Sequence, residues 1–182
     1  MKTLEEFLLQ KKPHILKRWL DFIIETYPLD TRRFLKHQKD QFLNPVGSTI
    51  SKEIDTLFLE LIKGINPERT CASLEGIIRI RAIQDFSPSK AISFIYLLKK
   101  IIREEIFQEY PEHQISDQLL AFESKLDEMA LLAFDIYTKC REKMYEIRAN
   151  EAKNQVSGLL RKRGLLCDVP SWKPGPDKPK IT

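Results

Sequence analysis

Apolar residues recur every three or four positions along most of the chain, and proline-led breaks cut that rhythm into segments. The first stripe runs Leu4, Phe7, Leu8, Ile15, Trp19, Phe22 and Ile23. Thr3 with Glu6 three residues on forms a capping-box pattern that starts it. The stripe keeps phase across Pro13, which predicts one kinked helix or two helices abutting there. Tyr27-Pro28 ends it, and Asp30 or Thr31 is expected to cap a short helix carrying Phe34, Leu35, Gln38 and Phe42. Asn44-Pro45 and Asn66-Pro67 each join a capping side chain to a proline suited to the first helical position. They predict a third helix to Gly64, with Ile50, Ile54, Leu57, Phe58 and Leu61 on one face, and a fourth to about Gln84. Gly47 sits in the first turn of the third, where it costs about 1 kcal/mol against Ala. That points to packing, or to close approach of another helix or a ligand.

Ser87-Pro88 begins a fifth helix whose broad face holds Ala91, Phe94, Ile95, Leu98, Ile101 and Ile102, so most of its girth is expected to be buried. Tyr110-Pro111 closes it. Ser116 then caps a very long helix with Leu119, Phe122, Leu126, Met129, Ala133, Ile136, Cys140, Met144 and Ile147 at spacings of three and four. The pattern resumes weakly at Val156, Leu159 and Leu160 and can stop at Gly164. The sum is an all-α chain of about six helices with a long C-terminal helix. Its expected organisation is a helical domain over 1–147, an extension of the long helix over 148–164 and a Pro-rich basic tail over 165–182. Trp172, the one large aromatic of the tail, is a candidate anchor for a partner or a lid on its own domain.

Composition narrows the class. Apolar residues make up 42%, enough for a packed core. The net charge of +4 is confined to 161–182, where six basic residues face two acidic ones, so 1–160 is formally neutral. Whole-protein attraction to nucleic acid is therefore not expected. No apolar run approaches the roughly 18 residues of a membrane span, and Glu5 and Glu6 speak against a signal peptide. Three widely spaced cysteines with no CxxC pair fit a reduced cytoplasmic protein.

Chemistry concentrates between Arg79 and Ser89, where the fourth helix gives way to the fifth. A 100° step puts Arg81, Gln84 and Asp85 on the side of Leu74, Ile77 and Ile78, and Arg79 opposite. Buried polar groups must be paired, and Arg81 can pair with Asp85 four residues on. Two readings follow: a structural clasp, or a ligand site of Arg81, Gln84, Asp85 and Ser89 helped by free N–H groups at the start of the fifth helix. The turn superficially resembles a helix-turn-helix, but its second helix is a core helix and cannot present polar groups to base edges.

His14, His37 and His113 form no ligand pattern with each other or with a cysteine. No metal site and no cofactor are expected, and His37 is the nearest thing to a haem ligand. No nucleophile motif, Gly-rich phosphate loop or carboxylate pair stands out, so the chain is expected not to be an enzyme.

Asn44-Pro45-Val46-Gly47, the run Ile77–Ser89 and the following Phe94-Ile95-Tyr96-Leu97-Leu98-Lys99 resemble the N-terminal sensory domain of RsbRD-type stressosome co-antagonists. The resemblance covers roughly residues 3–140. It implies a globin-like helical domain without haem, acting as a dimer in a stress response and signalling through its last helix. Members of that type continue into a STAS domain with phosphorylated threonines. This chain stops within about 20 residues of the long helix, so it looks like the stand-alone form, and phosphorylation and kinase binding are not carried over. The expected function is a non-enzymatic sensory domain that receives a signal in its helical core and relays it to an unidentified protein partner. Met129, Ala133, Ile136, Cys140 and Met144 are the candidate homodimer seam, read either as core alone or as core continuing into a dimer. The alternatives are a ligand-free adaptor using the Trp172 tail and a haem or redox sensor.

Overall fold

The computed structural model describes residues 3–38, 40, 42–109 and 117–163. They form six helices and, among the described residues, no strand. Helix α1 spans Leu4–Glu25 and passes through Pro13 as one helix. The capping box closes in both directions: Glu6 N–H donates to Thr3 Oγ1 at 3.2 Å, and Thr3 N–H donates to Glu6 Oε2 at 3.1 Å. Helix α2 (Leu29–His37) starts without a side-chain cap, so Asp30 and Thr31 lie inside it rather than before it. It is also shorter than expected. Gln38 already has extended backbone, and Phe42 falls in the following turn, 87% exposed.

Helices α3 (Pro45–Lys63) and α4 (Pro67–Ile83) begin as their Asn-Pro pairs predict. Asn44 Oδ1 accepts from Gly47 N–H at 2.8 Å, and Asn66 Oδ1 accepts from Arg69 N–H at 3.1 Å. Gly64, at φ 116°, ends α3 in a conformation that favours glycine. The reason for Gly47 is the cap itself. Asn44 is buried and also donates to the carbonyls of Gln38 and Leu35, at 2.9 and 3.3 Å, so its side chain is pinned. A Cβ on residue 47 would stand 2.8 Å from Asn44 Oδ1 and closer still to Nδ2. In an ordinary helix Gly→Ala stabilises by about 1 kcal/mol. Here Gly47→Ala is expected to do the reverse, lowering the melting temperature by roughly 3 °C through loss of a cap worth about 1 kcal/mol. Thermal unfolding followed by circular dichroism reads it.

Helix α5 (Pro88–Glu109) is the centrepiece the pattern predicts, with Ala91, Phe94, Ile95, Leu98, Ile101 and Ile102 all buried. Helix α6 runs over Asp117–Lys162. The stops and caps placed at Tyr110-Pro111, Ser116 and Gly164 lie outside the described residues. Helix α3 packs on α4 and on α1, and α1 packs on α5. Trp19, fully buried on α1, stacks on Phe94 with ring centres 6.1 Å apart and donates its indole N–H to the Phe94 carbonyl at 2.7 Å. Its large apolar surface is thus buried without leaving the N–H unpaired.

The chain divides into two compact units, Met1–Lys143 and Met144–Thr182. In the first, α6 supplies Leu119, Phe122, Leu126, Met129, Ala133 and Ile136 to the core. In the second, the described side chains from Tyr145 to Arg161 are all exposed. Ile147, expected on the buried stripe, is 48% exposed. Met129, Ala133 and Ile136 are covered by the chain's own core. Of the expected seam residues only Cys140 and Met144 remain half-exposed. The heptad-like rhythm followed the intradomain face because the other helices already fill it.

Ion pairs fasten the outer helices to α5. Arg18 donates to Glu104 and Glu105, each at 2.5 Å, and His14 Nε2 stands 3.1 Å from the same buried Glu105. Glu123 of α6 is held by Arg103, with Nη2 to Oε2 at 2.7 Å, and by Lys99 at 3.6 Å. The hydrogen bond from Arg103, aided by the charges of Arg103 and Lys99 and opposed by burial, holds the Glu123 carboxyl below the usual carboxylate range. A carboxyl with a depressed folded pKa stabilises fully above its unfolded value of about 4.3, and the benefit is lost as pH falls through the folded value. The gap in melting temperature between the wild type and Glu123→Gln is therefore expected to be widest near neutrality. It closes as pH drops from about 4.3 downward, which a pH series of thermal melts reads.

Candidate functional site

The corner between α4 and α5 is built by a common helix ending that carries an uncommon residue. Phe86 N–H donates to the Arg81 carbonyl at 3.1 Å, and Asp85 N–H donates to the Ala82 carbonyl at 3.4 Å. That is a Schellman ending, whose key position favours glycine. Asp85 occupies it at φ 57°, the one described non-glycine residue with positive φ. A short acidic side chain tolerates this conformation better than most, at some cost. The compensation comes from α6: Arg141 Nη1 donates to Asp85 Oδ1 at 2.7 Å and to the Ala82 carbonyl at 3.1 Å. Tyr137, also on α6, donates its hydroxyl to the Phe86 carbonyl at 2.5 Å. A cation from a neighbouring helix thus caps the negative end of α4.

The helical step that aims Arg81 inward does not extend to Gln84 and Asp85, because α4 stops at Ile83. Both are exposed, and the Asp85 side chain is 68% exposed. The expected Arg81–Asp85 pair does not form. Instead Arg81, fully enclosed, donates from Nη1 to the Lys90 carbonyl at 2.8 Å and the Ala91 carbonyl at 3.4 Å. Nη2 donates to Thr26 Oγ1 at 3.0 Å. Three rings surround the guanidinium: Phe86 at 5.0 Å, Phe94 at 5.4 Å and Tyr27 at 5.6 Å from its central carbon. Each such contact is worth up to about 2 kcal/mol when desolvated. Burial pulls the guanidinium below its ordinary range, opposed by the Tyr27 phenol, and burial pushes that phenol up. Among the described residues, Arg81 Nε and Tyr27 Oη are buried without a hydrogen bond of normal geometry, although the phenol and the guanidinium lie against each other. A charge enclosed this way joins the ends of α1, α4 and α5 in one knot.

Beside the knot lies an open cleft of about 440 Å³. Gln84 and Asp85 line it, together with Thr26, Tyr27, Thr31 and Lys90. Of the four residues expected to bind a ligand, then, two reach the cleft, Arg81 is sealed behind it, and Ser89 is not in its lining. The Ser89 hydroxyl instead lies 3.4 Å from that of Ser87. Tyr27-Pro28 was legible only as a helix stop. That it returns Tyr27 and Thr31 to the α4–α5 corner is a tertiary fact with no local signal.

Among the described residues no group of three or more His, Cys, Asp and Glu side chains is placed to hold a metal ion. The His14 side chain is 59% exposed and sits on Glu105, a surface placement. The His37 side chain and His113 lie outside the described residues, as do Cys167 and Trp172. Burial raises the Cys140 thiol pKa against the nearby Arg79, the wrong direction for a reactive thiolate. No described helix is long and apolar enough to cross a membrane.

Over residues 13–152 the sequence matches the family described as the RsbT co-antagonist protein rsbRD N-terminal domain. No curated protein and no solved structure matches the chain.

Proposed function

The chain belongs to the RsbRD N-terminal domain family, and from that premise we propose that it is a cytoplasmic, non-enzymatic regulatory domain whose α4–α5 corner receives a signal and whose α6 relays it to a protein partner. The observation that carries the reading is the double attachment of α6 to the corner, through Arg141 on Asp85 and Tyr137 on Phe86. Anything that shifts the corner must strain or release those bonds. An aspartate at a position that favours glycine supports a role for its carboxylate beyond the turn.

Asp85→Gly tests this, since glycine suits the turn and only the carboxylate is lost. Hydrogen exchange along 133–143 is expected to rise at least about tenfold, while the turn and α4 keep their protection. Unchanged exchange in α6 would rule out the relay.

Two copies are proposed to pair through the outer face of α6 in the first unit. Leu120, Leu131 and Phe134 lie there, 50%, 70% and 46% exposed. Helical phase puts them on one stripe, interrupted by Asp127, which Lys99 pairs at 3.1 Å.

A further inference from the structure

Arg81 has no carboxylate partner among the described residues. Enclosing a cation without a counter-charge is expensive, and two carbonyls, a hydroxyl and three rings offset the cost only in part, since Nε makes no hydrogen bond of normal geometry. The cleft next to it has the same sign. Thr26, Tyr27, Phe86 and Lys90 belong both to the cleft lining and to the shell of the guanidinium, so one layer of side chains separates the two. The Lys90 ammonium makes no ion pair with any described residue. The one carboxylate among the described lining residues, Asp85, is held by Arg141.

Hydrogen-bonding capacity leans the same way. The Tyr27 hydroxyl is buried against the guanidinium and does not face the cleft. The Thr31 hydroxyl and the Gln84 amide have no partner among the described residues. The Thr31 hydroxyl, the Gln84 amide and the Lys90 ammonium thus line one cleft, at a volume within the range of small-molecule sites, about 300–1,000 Å³.

We propose that this cleft binds a small organic anion bearing a carboxylate or phosphate, with Lys90 as its direct ion-pair partner and the enclosed Arg81 as a fixed positive floor. The inference rests on the reading of the corner as the receiving end, and it supplies the class of signal. A negative group seated beside Asp85 repels that carboxylate and competes for Arg141, which loosens the hold of the corner on α6. Arg81 itself needs no exposure, because its field acts through a water-poor layer where charges are weakly screened.

Inorganic phosphate and succinate serve as probes, each titrated against sodium chloride at constant ionic strength, with thermal unfolding of the full chain as the readout. At least one is expected to raise the melting temperature saturably. Lys90→Met, an exposed position whose backbone carbonyl still serves Arg81, is expected to weaken that binding about tenfold, the loss of one charge-assisted contact. Response to phosphate alone assigns a phosphoryl ligand, response to succinate alone assigns a carboxylate, and response to both leaves the shared anion chemistry. No saturable shift from either probe, or an equal shift in Lys90→Met, overturns the proposal. Such a failure leaves the exchange result for Asp85→Gly standing, so the relay and the ligand class fall separately.

Discussion

Arg81→Ala is expected to lower the melting temperature by roughly 10 °C, the largest effect of any single truncation at the corner. The side chain is fully enclosed and binds three separate elements: Thr26 at the end of α1, its own helix α4, and the Lys90 and Ala91 carbonyls of α5. Truncation removes the charge-assisted hydrogen bonds and the ring contacts together and leaves a cavity. A cost of about 3–4 kcal/mol follows, opposed by relief of the enclosed charge. Arg81→Met separates these contributions. It fills most of the volume without a charge, so it is expected to lose about half as much. Arg81→Lys keeps the charge but offers a single ammonium in place of a fork, and it cannot serve α1 and α5 at once. An Arg81→Ala protein that melts with the wild type would show that the knot does not hold the corner.

Leu131→Glu is expected to turn a dimer into a monomer in sedimentation at tens of micromolar, with circular dichroism unchanged. The residue is 70% exposed in the single chain, so the fold does not need it. Burying one leucine contributes about 1.5–3 kcal/mol, and a two-fold interface counts it twice. Dissociation should therefore strengthen at least about 100-fold. Met129→Glu is the contrasting substitution, two residues away but in the core at 2% exposure, and it is expected to prevent folding. A wild-type chain that sediments as a monomer at these concentrations would end the dimer reading.

The two substitutions also mark what local pattern can and cannot give. Met129 and Leu131 are both apolar, and both sit on one helix. The three-and-four rhythm found the face that is buried, because amphipathic periodicity reports burial. It could not say that the burial is supplied within the chain. The rhythm therefore picked out Met129, Ala133 and Ile136 for core and seam alike; the chain's own core covers all three, while Leu131 and Phe134 stay open. Gly47 repeats the lesson on a smaller scale. Its place in the first turn was visible, but its cause, a pinned Asn44 side chain, depends on carbonyls in the preceding segment.

The sequence by itself determined the helical course of the chain and the punctuation of α1, α3 and α4. Thr3, Asn44, Asn66 and Gly64 act locally, through backbone groups within a few residues, and each does in the structure what its type predicts. It also determined that Arg81 points inward, since that follows from helical phase alone. Only the tertiary structure decided what Arg81 meets. Its partners are 9, 10 and 55 residues away. The phase that placed it fails two residues after α4 ends, where Asp85 turns outward to Arg141 on α6. Periodicity constrains a side chain's direction only while the helix lasts, and a charge's partner is set by which distant backbone and ring the packed core brings beside it.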